Sequence, residues 1–135
     1  MTDANAIRRL ADAARAARAG AYAPYSKFHV GAAVLLDTGV IMPGANVENA
    51  SYGLTCCAER VAMFAARTQH PQASMIALAV SCGADDFVHT GNHTRMPCGA
   101  CRQVMVEFMA PDAPIWIDGV GARTLSELLP TPFKL

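Results

Sequence analysis

The stretch Pro97-Cys98-Gly99-Ala100-Cys101, read together with Cys57-Ala58-Glu59, constrains this chain more than anything else in it. If Cys98 and Cys101 open a helix they lie on one face of it and can grip a single ion. Cys57 is the candidate third thiolate, so the fold must bring two helix starts, distant in sequence, to one point. At that point the positive ends of two helix dipoles lower the thiol pKa values, and three protein ligands leave a fourth tetrahedral position for water. An open position means catalysis, not scaffolding. Glu59, two residues past Cys57, does not share its helical face, and it is placed to move protons for that water instead of ligating.

Composition narrows the class. A chain of 135 residues reads as one domain, residues 1–135, long enough to bury a core. Apolar residues make up 53% and charged residues only 16%, which implies apolar surface hidden in contacts between copies and predicts a homo-oligomer. Eleven basic and eleven acidic residues give no electrostatic footprint for a nucleic-acid backbone or an anionic membrane, so a small neutral ligand fits better. Asp3, Arg8 and Arg9 interrupt the N-terminus, and neither a signal peptide nor a membrane-spanning helix is read there; the expected location is the cytoplasm. Five cysteines, with a C-x-x-C pair among them, favour metal or redox use over a disulfide framework. Cys56 and Cys82 read as buried small hydrophobes.

Ile7, Leu10, Ala14 and Ala17 recur at helical spacing, with Thr2 or Asp3 as N-cap and Gly20 as the stop; Arg8, Arg15 and Arg18 form its solvated face. Phe28 to Leu36 and Val40 to Met42 predict a hairpin about Asp37-Thr38-Gly39. Past Asn46-Val47-Glu48-Asn49 a second helix starts near Cys57, with Val61, Phe64 and Ala65 as its apolar stripe, and fades between Thr68 and Pro71. Ile76 to Val80 suits a strand covered on both faces. Residues 83–96 read as a polar loop with His89 and His93. Pro97 introduces a third helix, buried through Val104, Met105, Phe108 and Met109, then Ile115 to Ile117 reads as a strand. Thr124-Leu125-Ser126-Glu127 is a capping box for a short last helix. The order argues for one mixed sheet with helices on its faces and the site at the strand ends.

Alone, Pro-Cys-x-x-Cys also fits a structural zinc clasp or a thioredoxin-like pair. A redox pair has no use for a third cysteine followed by a carboxylate, and a closed clasp wants a fourth ligand, for which His89 and His93 are the candidates. Zinc deaminases carry a His or Cys ligand, x, Glu, and then P-C-x-x-C, and both stretches fit that pattern. An amidine carbon such as cytosine C4 is a poor electrophile, so a site that attacks it must make hydroxide at neutral pH and protonate the ring nitrogen and the leaving amine. Three thiolates would leave a dication with net negative charge. Arg60 and Arg102, each directly after a site residue, can compensate by donating to the sulfurs, or can point to solvent.

The chain resembles the small homotetrameric cytidine deaminases. Five blocks carry the resemblance in order: Ala23-Pro24-Tyr25-Ser26-x-Phe28-x-Val30-Gly31-Ala32; Asn46-Val47-Glu48-Asn49-Ala50-Ser51-Tyr52; Cys57-Ala58-Glu59-Arg60; Pro97-Cys98-Gly99-Ala100-Cys101-Arg102-Gln103; and Leu128-Leu129-Pro130-x-x-Phe133. The resemblance implies an α/β fold, a single-domain three-layer α/β/α sandwich about a mixed sheet of about five strands. It implies one Zn2+ per subunit on Cys57, Cys98 and Cys101, and Glu59 as the catalytic proton carrier. It further implies that Asn46 and Glu48 hold the ribose hydroxyls, that Phe28 packs against the nucleoside, and that neighbouring subunits of a tetramer lend Tyr52 and Phe133. Backbone amides near Ala58 and Cys98 would orient the base. The expected reaction is hydrolytic deamination of cytidine and 2′-deoxycytidine to the uridines in pyrimidine salvage. The alternatives are a modified cytosine nucleoside of the blasticidin type as substrate and, further off, a non-catalytic zinc-stabilised binding module. Relative to the family, the polar stretch from Asp85 to Arg95 is long.

Overall fold

The structure is a computed structural model and describes residues 3–83 and 95–135. Asp3 starts the first helix, α1 (Ala4–Ala17), its carboxylate accepting from the Ala6 N–H at 2.7 Å. A 3₁₀ turn, Arg18–Gly20, ends it. The hairpin follows as β1 (Val30–Leu36) and β2 (Ile41–Ala45), with Gly39 at φ +89° in the turn. Then come α2 (Ala58–Gln69), β3 (Met75–Cys82), α3 (Gly99–Phe108), β4 (Pro114–Ile117), β5 (Gly121–Thr124) and α4 (Leu125–Leu128), the last closed by the capping box of Thr124 and Glu127.

Among the described residues the strands form one sheet in the order β2-β1-β3-β4-β5. β1 pairs antiparallel with β2 and with β3, β3 runs parallel to β4, and β4 pairs antiparallel with β5, so the sheet is mixed. Pro43 is tolerated because β2 is an edge strand. β3 is central and buried along almost its whole length.

Helices cover both faces, giving three layers. On one face Ala6, Leu10 and Ala14 of α1 pack on Ala33 and Leu35 of β1 and Ala77 and Ala79 of β3, with Ile41, Ile76 and Trp116 around them. Ile7 is only half-buried; the buried face of α1 is Ala6, Leu10, Ala11 and Ala14. Arg15 is exposed, as read from sequence, and at the surface it also clamps Asp118 through two bonds of 3.0 and 2.8 Å and meets Asp12. Asp118 in turn accepts from the hydroxyl of buried Ser81 at 2.7 Å. The indole N–H of Trp116 is buried with no hydrogen-bond partner among the described residues.

The other face carries the larger core, with Met63 of α2, Met105 of α3, Leu78 and Ile115 among its fully buried side chains. Here the stripe read from sequence on α2 is corrected. Ala58, Glu59, Ala62, Met63 and Ala66 face inward, while Phe64 stays 45% exposed and Val61 and Ala65 are only half-buried. The cause is close approach: a Cβ on Gly44 of β2 would fall 2.4 Å from the Ala62 backbone nitrogen and 2.8 Å from the Ala58 carbonyl oxygen. A helix seated that near a strand presents alanines to it, and Phe64 does not fit between them.

Candidate active site

The loop from β2 to α2 runs through Asn46 and a 3₁₀ turn, Tyr52–Leu54, and is pinned by Val47 pairing with Tyr22 on one side and Cys56 on the other. It delivers Cys57 to the N-cap of α2, while Cys98 occupies the N-cap of α3. Cys98 Sγ accepts from the Cys101 N–H at 3.4 Å, which folds the first turn of α3 around the sulfurs. The Sγ atoms of Cys57, Cys98 and Cys101 all lie within 4.8 Å of one another, and among the described residues they are the one cluster of three potential metal ligands. Cys57 and Cys98 are 3.8 Å apart and Cys98 and Cys101 3.3 Å. A tetrahedral ion with Zn–S bonds of about 2.3 Å spaces its sulfurs about 3.8 Å apart, so this donor set fits zinc in both chemistry and span. His89 and His93 lie outside the described residues.

Electrostatics reinforce the fit. The Cys57 thiol is drawn down to about 5, first by a hydrogen bond from Cys101 and then, against its own burial, by Arg60. Cys101 is pushed up because it donates the proton they share. Arg60 Nη2 donates to Cys57 Sγ at 3.2 Å, and that bond raises the guanidinium further. Arg102 behaves differently: it donates to the carbonyls of Pro97 and Leu128, both at 2.8 Å. Its expected contact with the sulfurs is therefore corrected to one that ties the entry of α3 to the end of α4; α3 turns the side chain at position 102 back along its own N-terminus.

These groups open onto a cavity of about 310 Å³ lined by Phe28, Val30, Asn46, Glu48, Thr55, Cys57, Ala58, Glu59, Val80, Cys82, Arg95, Met96 and Cys98. Glu59 lies in its wall, 4% exposed, and burial pushes its carboxyl up to about 7. A carboxyl with that affinity picks up and releases a proton near neutrality. Asn46 is buried and its amide is already engaged, Oδ1 accepting from the Val30 N–H at 2.9 Å and Nδ2 donating to the Phe28 carbonyl at 2.8 Å. One lone pair and one N–H remain for a ligand. Glu48 is held by the N–H groups of Tyr25 and Ser26 and by the Ser26 hydroxyl, and the hydroxyl above all keeps its carboxyl below the ordinary value.

Tyr52 and Phe133 line other hollows and are 79% and 70% exposed; neither reaches this cavity within its own chain. The sequence reading missed Thr55, Met96, Arg95 and Cys82 as lining residues. Cys82 could have been found, since it ends β3 opposite Val30, where the strand ends were expected to carry the site. Cys56 is half-buried, not a core residue.

The family model of the cytidine and deoxycytidylate deaminase zinc-binding region matches residues 4–116. A cytidine deaminase of Halalkalibacterium halodurans is 46% identical over 121 residues, covering 87% of this chain and 86% of the relative. Among solved structures, the cytidine deaminase of Mycobacterium tuberculosis superposes with a TM-score of 0.81 at 43% identity, covering 96% of this chain and 98% of that one. The cytidine deaminase of Burkholderia pseudomallei gives 0.80 at 40%, covering 98% and 100%. A blasticidin-S deaminase of Bacillus cereus is more distant, 31% identical over 111 residues, with 80% of this chain and 79% of the relative covered.

Proposed function

We infer, from the premise that this chain belongs to the cytidine and deoxycytidylate deaminase family, that it is a zinc-dependent hydrolase converting cytidine to uridine with release of ammonia. One observation carries the reading: the buried carboxyl of Glu59 shares a small-ligand cavity with three converging thiols. Zinc, held one per chain by Cys57, Cys98 and Cys101, supplies the Lewis acid that makes water nucleophilic at neutral pH. Glu59 takes a proton from the attacking water and gives it to N3, which makes C4 electrophilic. The same carboxylate then takes the remaining proton from the hydroxyl added at C4 and passes it to the amine, so the C4–N bond breaks, ammonia leaves, and the water oxygen stays on C4 as a carbonyl. Backbone N–H groups at Ala58 and Cys98, at the starts of α2 and α3, orient the base.

Asn46 and Glu48 hold the ribose hydroxyls and Phe28 packs against the nucleoside; their shared lining of the cavity supports these roles. Arg60 drains charge from the Cys57 thiolate. Residues 1–135 act as one catalytic domain. 2′-Deoxycytidine is a second substrate, and the reaction serves pyrimidine salvage. Chains associate as a tetramer in which Tyr52 and Phe133, both exposed, complete neighbouring sites. The protein works in the cytoplasm; no described helix is long and apolar enough to cross a membrane.

The test is the fall in ultraviolet absorbance as purified protein acts on cytidine, beside Glu59→Gln and a metal-stripped sample. Turnover lost in both controls supports the mechanism; turnover retained in Glu59→Gln overturns the assignment. The Bacillus cereus relative supports a second reading, a blasticidin-type nucleoside as preferred substrate, which a higher kcat/KM than for cytidine would establish.

A further inference from the structure

The cavity contains a cation for which the deamination has no task. Arg95 is half-buried on the chain leading into Pro97-Cys98 and lines the cavity, and among the described residues it makes no hydrogen bond or ion pair. Neither carboxylate of the cavity answers it: Glu48 is taken by Tyr25 and Ser26, and Glu59 is buried beside the thiols. Its seat is specific. A Cβ on Gly119, in the β4–β5 turn, would lie 3.1 Å from Arg95 Nη1 and 3.4 Å from its Cδ and Cζ, so the end of the side chain rests on bare backbone. That turn is fixed by Asp118, whose carboxylate holds Arg15 and Ser81 and whose N–H bonds to the Val80 carbonyl at 2.9 Å.

The direction from which Arg95 enters follows from the sheet. Phe28, Asn46 and Glu48 line the cavity from the β1 and β2 side, Val80 and Cys82 from central β3, and Arg95 from the β4 side. A cytosine whose C4 meets the thiols, and whose N1 carries its sugar toward Asn46 and Glu48, has two ring edges left. Glu59 takes the N3 edge. The C5 edge turns to Arg95.

We propose that Arg95 makes this cavity a site for cytosine nucleosides with an anionic substituent on C5, a carboxylate foremost; the inference rests on the deaminase reading above. A guanidinium donates two parallel N–H···O bonds to a carboxylate, and a C5 carboxylate extends from the ring in the direction of that donor pair. The chemistry at C4 is unaltered. Water oxygen adds, the C4–N bond breaks, ammonia leaves, and 5-carboxycytidine becomes 5-carboxyuridine with its carboxylate intact.

The experiment measures kcat/KM for 5-carboxycytidine and for cytidine in the zinc-loaded protein and in Arg95→Leu and Arg95→Lys, and reads the ratio, which a general loss of fold leaves unmoved. The expected result is measurable 5-carboxycytidine turnover in the unaltered chain, a ratio lower by about tenfold or more in Arg95→Leu, and an intermediate ratio in Arg95→Lys. Cytidine turnover with no action on 5-carboxycytidine, or a ratio the same in Arg95→Leu, overturns the C5 inference and leaves the deaminase reading standing. Absence of turnover of both nucleosides overturns both.

Discussion

The helices of this chain begin in two different ways. At α1 and α4 a side-chain oxygen, of Asp3 or Thr124, closes the first turn by accepting a backbone N–H, and each contributes the usual stabilisation of an N-cap. At α2 and α3 the same position is a cysteine. Cys57 makes no side-chain cap bond, and the Cys98 sulfur accepts only a long one from the Cys101 N–H. The ends with good caps do not line the cavity, and the ends with poor caps do. The difference teaches that the N-cap position, with its exposed N–H groups and positive dipole, can serve either stability or thiolate chemistry, and here the two uses are divided by whether the helix start lines the cavity, since α4 shares its face of the sheet with α2 and α3.

The most severe challenge to this contrast is Glu59→Gln, which leaves every helix start intact and removes only the proton carrier: kcat falls by about 10²- to 10⁴-fold, measured by ultraviolet absorbance, with zinc content unchanged. Cys98→Ser comes next. Serine is a good N-cap, so the metal-free chain keeps its urea midpoint or gains by up to about 1 kcal/mol, while zinc content by atomic absorption and turnover both fall. A metal-free chain that lost stability in this variant would break the contrast. The two arginines sharpen it. Arg60→Gln lowers activity or zinc affinity by about 10- to 100-fold, because it touches a sulfur. Arg102→Gln acts mainly on the urea midpoint, because it touches carbonyls. Asp3→Ala costs about 1 kcal/mol in urea denaturation and leaves turnover alone.

The smallest effect is a pH dependence. The Arg15 hydrogen bond holds the Asp118 carboxyl below its ordinary value of 3.8, so the folded chain binds that proton less readily than the unfolded one. Its stabilisation is therefore complete above that ordinary value and is lost as pH falls through the lower folded value. Asp118→Asn flattens the acid side of the urea-midpoint profile, below the ordinary carboxylate value, and leaves it parallel to the unaltered chain above.

Local signals were legible in the sequence because their causes are local. The Asp3 cap, the turn at Asp37-Thr38-Gly39, the capping box and the two cysteine stretches each lie within a few residues of what they determine. What was misread depends on partners far away in the chain. Hydrophobicity singled out Phe64, but Gly44 draws α2 so near the sheet that alanines take the inner face. β5 was not read at all: Gly-Ala-Arg-Thr has neither alternation nor β-branched richness, and pairing with β4 across the Asp118–Val120 turn makes it a strand. In the site, the cysteines and Glu59 announce themselves by spacing. Thr55, Arg95 and Cys82 do not, because only the folded sheet brings them to the cavity.

Trp116 is the chain's one tryptophan, and it packs in the α1 cluster, on the face of the sheet away from the thiols. Its intrinsic fluorescence is thus a built-in optical gauge of how α1 is docked. The indole N–H, buried and without a partner among the described residues, packs beside the apolar α1 cluster, so emission moves to longer wavelength when that helix lifts and water enters. Trp116 does not line the nucleoside cavity, so this signal follows the docking of α1 from outside the ligand's contacts.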